Sequence, residues 1–91
     1  MSVKVKIAEP LRQLINCQEE AVEVDGHNVQ ECLDKLAVQF SDLKRWLYNE
    51  KGELLPYVHI YVNGERNPGD ELTRQIKDDD ELLILVTVTG G

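Results

Sequence analysis

The chain has 91 residues, 42 % of them apolar, and its ten Lys/Arg against seventeen Asp/Glu give a formal net charge of −7. A second domain would fall below the usual size for independent folding, so residues 1–91 are expected to form a single domain. An acidic chain lacks the clustered cations that release counterions from nucleic acid or hold a protein to an anionic membrane, which excludes both as partners. The acidity reads first as solubility and second as a fit to basic patches on partner proteins.

Val3, Val5 and Ile7 alternate with Lys4 and Lys6, the pattern of a half-buried strand. The same segment lacks the continuous apolar run of a secretory signal, and no stretch approaches the roughly 20 apolar residues of a membrane helix. A cytoplasmic protein with Cys17 and Cys32 as free thiols is therefore expected. After Pro10, Leu11, Leu14 and Ile15 are expected to fold over the edge of the core. Val22 and Val24, with Glu23 between them, give a second strand, and Asp25-Gly26 turns the chain.

Asn28 stands three residues before Glu31, a capping-box pattern that opens a helix. Val29, Cys32, Leu33, Leu36, Ala37 and Phe40 then form one apolar stripe at helical spacing, so the main helix is expected from about Val29 to about Phe40. Leu43, Trp46 and Leu47 add a further turn or two. Lys51-Gly52-Glu53 is a turn, Tyr57–Val62 a strand, and Asn63-Gly64 a tight-turn signal. Residues 67–70 are a loop. Leu72 and Ile76 are apolar anchors with room for a short strand between them, and Asp78–Glu81 is a solvated turn. Leu82–Val88 is apolar enough to be a central strand covered on both faces. Thr89-Gly90-Gly91 ends the chain.

The order strand, strand, helix, strand, short elements, strand is satisfied by an α+β arrangement. First and last strands lie parallel in the middle of a mixed sheet of four to five strands, with one main helix across one face and a right-handed crossover. That is the β-grasp, or ubiquitin-like, fold, here with an extended Gly-Gly tail over about residues 88–91. Alternation within the strands adds a surface. With Val58, Ile60 and Val62 turned to the helix, His59 and Tyr61 point away; with Leu82, Ile84 and Val86 turned in, Leu83 and Leu85 point out. His59, Tyr61, Leu83 and Leu85 should thus share the open side of the sheet as an apolar patch, a common mark of a partner site on a small protein. The competing reading is that loops or a second copy cover them.

The chain shows no pattern for chemistry of its own. The acidic run 78–81 lacks the spaced acidic frame and later Glu of a calcium loop. The Cys and His spacings do not fit zinc, and no metal site is expected. His59 reads as a surface or interface histidine and His27 as a loop residue. Cys32, on the helix stripe, reads as buried and inert. Cys17 is expected to be exposed, where a persulfide role is the weaker reading. No serine triad, phosphate loop or carboxylate pair stands out.

In this order the residues resemble the ThiS/MoaD group of sulfur carriers. The likeness rests on Val62-Asn63-Gly64-Glu65 at the end of a strand, on Asp78-Asp79-Asp80-Glu81 before the last strand, and on the closing Gly90-Gly91. A closing Gly-Gly alone occurs by chance in about 0.5 % of chains and would carry little; the three motifs in sequence carry more. Two positions depart from the pattern. Asp79 stands where many members have Gly, and Val86-Thr87-Val88-Thr89 lacks the prolines many relatives have before the tail.

The resemblance implies a carrier or co-substrate rather than an enzyme. In such proteins an E1-like adenylyltransferase, using ATP and Mg, adenylates the terminal carboxylate, here that of Gly91. A sulfurtransferase, desulfurase or free sulfide converts it to a thiocarboxylate, and an acceptor enzyme takes the sulfur. No cofactor is held permanently. Gly90 and Gly91, lacking Cβ atoms, suit a tail that must thread a narrow channel, and Thr89 precedes them. The implied acceptors are the large subunit of a molybdopterin synthase or an enzyme making a sulfur-containing amino acid or metabolite, with thiamin thiazole formation less favoured. Conjugation of Gly91 to lysines, as a protein modifier, and a non-covalent β-grasp interaction domain are the alternatives.

Overall fold

The computed structural model describes residues 2–9, 11–66 and 71–87. In chain order these form β1 (Val3–Ile7), α1 (Leu11–Leu14), β2 (Ala21–Val24), α2 (Val29–Gln39), α3 (Leu43–Leu47), β3 (Val58–Val62) and β4 (Glu81–Val86). The sheet order is β2-β1-β4-β3. β1 and β4 run parallel in the middle, and β2 and β3 flank them antiparallel. This is the β-grasp arrangement, with four strands among the described residues.

Alternation decides the core. In β1 the valines and Ile7 are buried and the lysines exposed; Val22, Val24, Val58, Ile60, Val62, Leu82, Ile84 and Val86 follow the same period. These side chains join Val29, Cys32, Leu33 and Leu36 of α2 in one apolar cluster, with Leu43 and Leu47 of α3 beside them. Burying a single Leu or Ile of this set contributes about 1.5–3 kcal/mol.

The start of α2 is tied down at each of its first amides, which a helix cannot satisfy internally. Val29 N donates to Arg74 O at 3.1 Å and Gln30 N to Leu72 O at 3.0 Å. Glu31 N donates to Asn28 Oδ1 at 2.8 Å. Glu31 returns the bond one residue earlier than a capping box predicts, accepting from His27 N at 3.0 Å, while Asn28 forms an isolated bridge with Gln75. That bridge is all that forms of the short strand expected between Leu72 and Ile76. The His27 N–H, then its imidazole, hold the Glu31 carboxyl below its ordinary value.

The two internal motifs of the family resemblance meet in space. Asn63 and Gly64 have φ of 51° and 83°, the type I′ combination. Val62 and Glu65 exchange backbone bonds of 2.8 and 3.0 Å across the turn. Asn63 then reaches the start of β4: its N donates to Glu81 O at 2.8 Å, its Oδ1 accepts from Glu81 N at 3.0 Å, and its Nδ2 donates to Asp80 Oδ1 at 3.0 Å. Asp79 sits at φ 71°, so the turn keeps a left-handed position that Gly fills freely and Asp tolerates.

Four expectations are corrected. Leu14 turns outward at 39 % exposure, because a four-residue helix buries only the face carrying Leu11, with Ile15 buried just beyond it. Cys17 is buried, not exposed, and its Sγ donates to Glu19 O at 3.2 Å. The turn at 78–81 is solvated only in part: Asp78 and Asp79 are exposed, whereas Asp80 and Glu81 are half-buried and bonded to Asn63. β4 is central but fully covered on one face only, since the one long helix among the described residues lies on the side of Leu82, Ile84 and Val86.

Candidate functional site

The register of β3 on β4 pairs His59 with Leu85 and Tyr61 with Leu83. All four side chains are half-buried and lie on the side of the sheet opposite α2. The structure thus brings together the four residues read as a patch. Across the centre of the sheet, β1 continues this face with Lys4 opposite Glu81 and Lys6 opposite Leu83, and β2 adds Glu23 opposite Lys4. Lys6 Nζ lies 3.2 Å from Glu81 Oε1. The open face therefore grades from aromatic and aliphatic on β3 and β4 to charged on β1 and β2.

Edge strand β3 is closed to further pairing through its amides. Val58 N donates to Leu55 O at 3.0 Å, Ile60 N to Glu71 Oε2 at 3.3 Å and Val62 N to Glu65 O at 2.8 Å. A partner approaching this side meets side chains rather than a free ladder.

Thr89, Gly90 and Gly91 lie outside the described residues, which end at Thr87. Thr87 was not singled out by the motifs, yet it is the residue that follows β4 and the last one described. Thr87 N donates to Tyr57 O at 3.0 Å. Its Oγ1 donates to the same carbonyl at 3.4 Å and lies 3.2 Å from His59 Nε2. The other imidazole nitrogen, Nδ1, is enclosed with no hydrogen-bond partner. Alternation from Leu83 and Leu85 already places Thr87 on the open face; the bond to His59 depends on the register of two strands far apart in sequence. Tyr57, 37 % exposed, stands at this same end of the sheet.

Elsewhere the described residues offer little chemistry. No group of three or more His, Cys, Asp or Glu among them is placed to hold a metal ion. No helix among them is long and apolar enough to cross a membrane. Burial pushes the Cys32 thiol up to about 11, which keeps it protonated and unreactive at neutral pH. On the helix side a groove of about 470 Å³ is lined by Gln30, Asp34, Lys44, Arg45 and Tyr48 among others, with charges of both signs.

With this geometry in hand, comparison with known proteins is specific. The family model of the ThiS family matches residues 5–91. A chain of the Amycolatopsis orientalis BexX/CysO complex is 34 % identical, with a TM-score of 0.80 over 98 % of this chain and 99 % of that one. Small archaeal modifier protein 1 from Methanosarcina acetivorans is 30 % identical, with a TM-score of 0.81 over 99 % and 96 %. SAMP1 from Haloferax volcanii is 26 % identical, with a TM-score of 0.86 over the whole of both chains. No curated protein sequence matches.

Proposed function

The chain belongs to the ThiS family, and from that premise we propose that it is a ubiquitin-like sulfur carrier whose reactive group is the carboxylate of Gly91. The observation that carries this reading is the span of the family match, which runs through both Gly90 and Gly91. In the reaction, a Gly91 carboxylate oxygen attacks the α-phosphorus of ATP and pyrophosphate leaves. A sulfide equivalent then attacks the acyl carbon, AMP departs with the bonding pair, and a thiocarboxylate remains. The activating E1-like enzyme supplies ATP and Mg, and a sulfurtransferase, a desulfurase or free sulfide supplies the sulfur. The chain is co-substrate throughout, working in the cytoplasm.

Physical reasoning supports a tail on a rigid base. A carboxylate is a poor electrophile until it is joined to a good leaving group, so it must be carried into a partner's nucleotide site. Beyond Thr87 the sequence has four residues, which span at most about 14 Å when extended. The domain itself must therefore come close to the partner, and the patch of His59, Tyr61, Leu83 and Leu85 is the face proposed to dock. That a CysO relative is found in a complex with a second protein, BexX, supports a protein partner. The acceptor is proposed to be a molybdopterin synthase large subunit or an enzyme of sulfur-containing amino-acid or metabolite synthesis, ahead of thiazole formation.

The likeness to small archaeal modifier protein 1 favours a second reading, conjugation of Gly91 to lysines through the same adenylate. One experiment separates the outcomes. The chain is incubated with an E1-like enzyme, ATP, Mg and a sulfide source, and intact mass is measured. A gain equal to one oxygen-to-sulfur exchange, absent when Gly90-Gly91 is removed, is expected of the carrier. Isopeptide-linked peptides ending in Gly91, without that exchange, would favour the modifier. No change in mass and no conjugates would refute both.

A further inference from the structure

We propose that Thr87 is a positioning residue for the reactive Gly91: its hydroxyl, held between His59 and the Tyr57 carbonyl, fixes the place on the sheet from which the chain continues toward Gly91. This rests on the reading above, because only a reactive tail gains from a defined origin.

The register of β3 on β4 ends with Val58 opposite Val86. The next pair, Tyr57 with Thr87, lies one step beyond both strands, where a ladder opens most easily. Here the ladder is reinforced. Beyond the backbone bond of 3.0 Å from Thr87 N to Tyr57 O, Thr87 Oγ1 reaches the same carbonyl at 3.4 Å and meets His59 Nε2 at 3.2 Å. A hydroxyl has one proton to give. With that proton directed at the carbonyl, His59 must donate from Nε2, which assigns the ring to the Nε2–H tautomer.

Core packing does not explain this set. Thr87 is exposed, and a valine of the same shape would suit an extended chain equally well. Only the hydroxyl makes the bonds. His59 is the diagonal neighbour of Thr87 across the two strands, and it lies within the open-face patch. The clamp therefore ties the origin of the tail to the face proposed to dock. A partner seated on that face finds Thr87 in a fixed place relative to His59 and Tyr57. The hydroxyl acts on where the carboxylate arrives, so its loss should appear in turnover rather than in binding.

The test uses the full chain, an E1-like enzyme, ATP and Mg, with pyrophosphate release giving kcat and KM and calorimetry giving the docking Kd. The wild-type arm decides the carrier-or-modifier reading, and the variant arm decides the clamp. Thr87→Val should lower kcat about tenfold while KM and Kd stay near wild type, with an unchanged melting temperature. Thr87→Ser should retain wild-type kcat. Imidazole nitrogen shifts by NMR should show His59 protonated at Nε2 and hydrogen-bonded there in wild type and in Thr87→Ser, with the hydrogen-bond shift lost in Thr87→Val. Wild-type kcat in Thr87→Val, a loss confined to KM, or an equal loss in Thr87→Ser would each overturn the proposal. A wild-type chain that releases no pyrophosphate would refute the reading and the clamp together.

Discussion

Along β4, Leu82, Ile84 and Val86 are at most 2 % exposed, whereas Leu83 and Leu85, their immediate neighbours, are only partly buried. The same contrast holds on β3 between Val58, Ile60 and Val62 and the intervening His59 and Tyr61. Both faces of these strands are rich in apolar and aromatic side chains, but the fold uses only one. On β1 the side away from the helix carries Lys4 and Lys6, the ordinary solution for a sheet with one wet face. The comparison teaches that alternation alone leaves an apolar surface on the open half of β3 and β4 that the fold covers only in part, and that surface is the one proposed above to dock.

The largest effect that bears on this division is expected on the covered face. Ile84→Ala removes a fully buried side chain from the central strand and should cost about 2–5 kcal/mol in denaturant unfolding. A cost below that range would mean the core closes over the gap. Gly26→Ala probes the same face from the helix side. A Cβ there would lie 2.8 Å from Cys32 Sγ and 3.0 Å from Cys32 N, so the start of α2 must shift, at about 1–3 kcal/mol by the same measurement.

The open face should answer differently. Leu85→Asp should weaken binding to the E1-like partner more than tenfold, about 1.4 kcal/mol or more, while the circular dichroism spectrum of the free domain stays native. Unchanged affinity in titration calorimetry would remove the docking role from this face and leave the two halves of β4 distinguished only by burial.

The smallest effect concerns the turn that leads into β4. The backbone N–H of Lys77, then the Asn63 amide, hold the Asp80 carboxyl below its ordinary 3.8. A carboxyl depressed in the folded state stabilises it at pH above the unfolded value. That contribution fades as pH falls below 3.8 and is gone once pH passes the lower folded value. Asp80→Asn should therefore flatten the acid limb of the stability profile and leave the faces of the sheet unaffected. An acid limb identical to wild type would show that Asp80 adds nothing through its charge.

Much of this was legible in the residues. Period-two alternation identified every strand of the sheet and which side chains point inward, and the stripe from Val29 to Phe40 located the main helix within a residue at its C-terminal end. The placement of His59, Tyr61, Leu83 and Leu85 on one face followed from the same period. Cys17 was misplaced because burial of a residue outside any regular element depends on what closes over it. Thr87 went unread for a related reason: a threonine near the end of a strand has no pattern of its own until its neighbour across the sheet is known.

The sequence by itself determined the periods, the caps and the turn chemistry, because these depend on residues a few positions apart. It also placed the closing Gly-Gly after an apolar strand. Only the tertiary structure decided that Asn63 bonds to Asp80 and Glu81, that Arg74 and Leu72 carbonyls hold the first amides of α2, and that His59 meets Thr87. Each of these contacts joins segments separated by 17 to 45 positions, and chain geometry brings such segments together only when the whole core has closed.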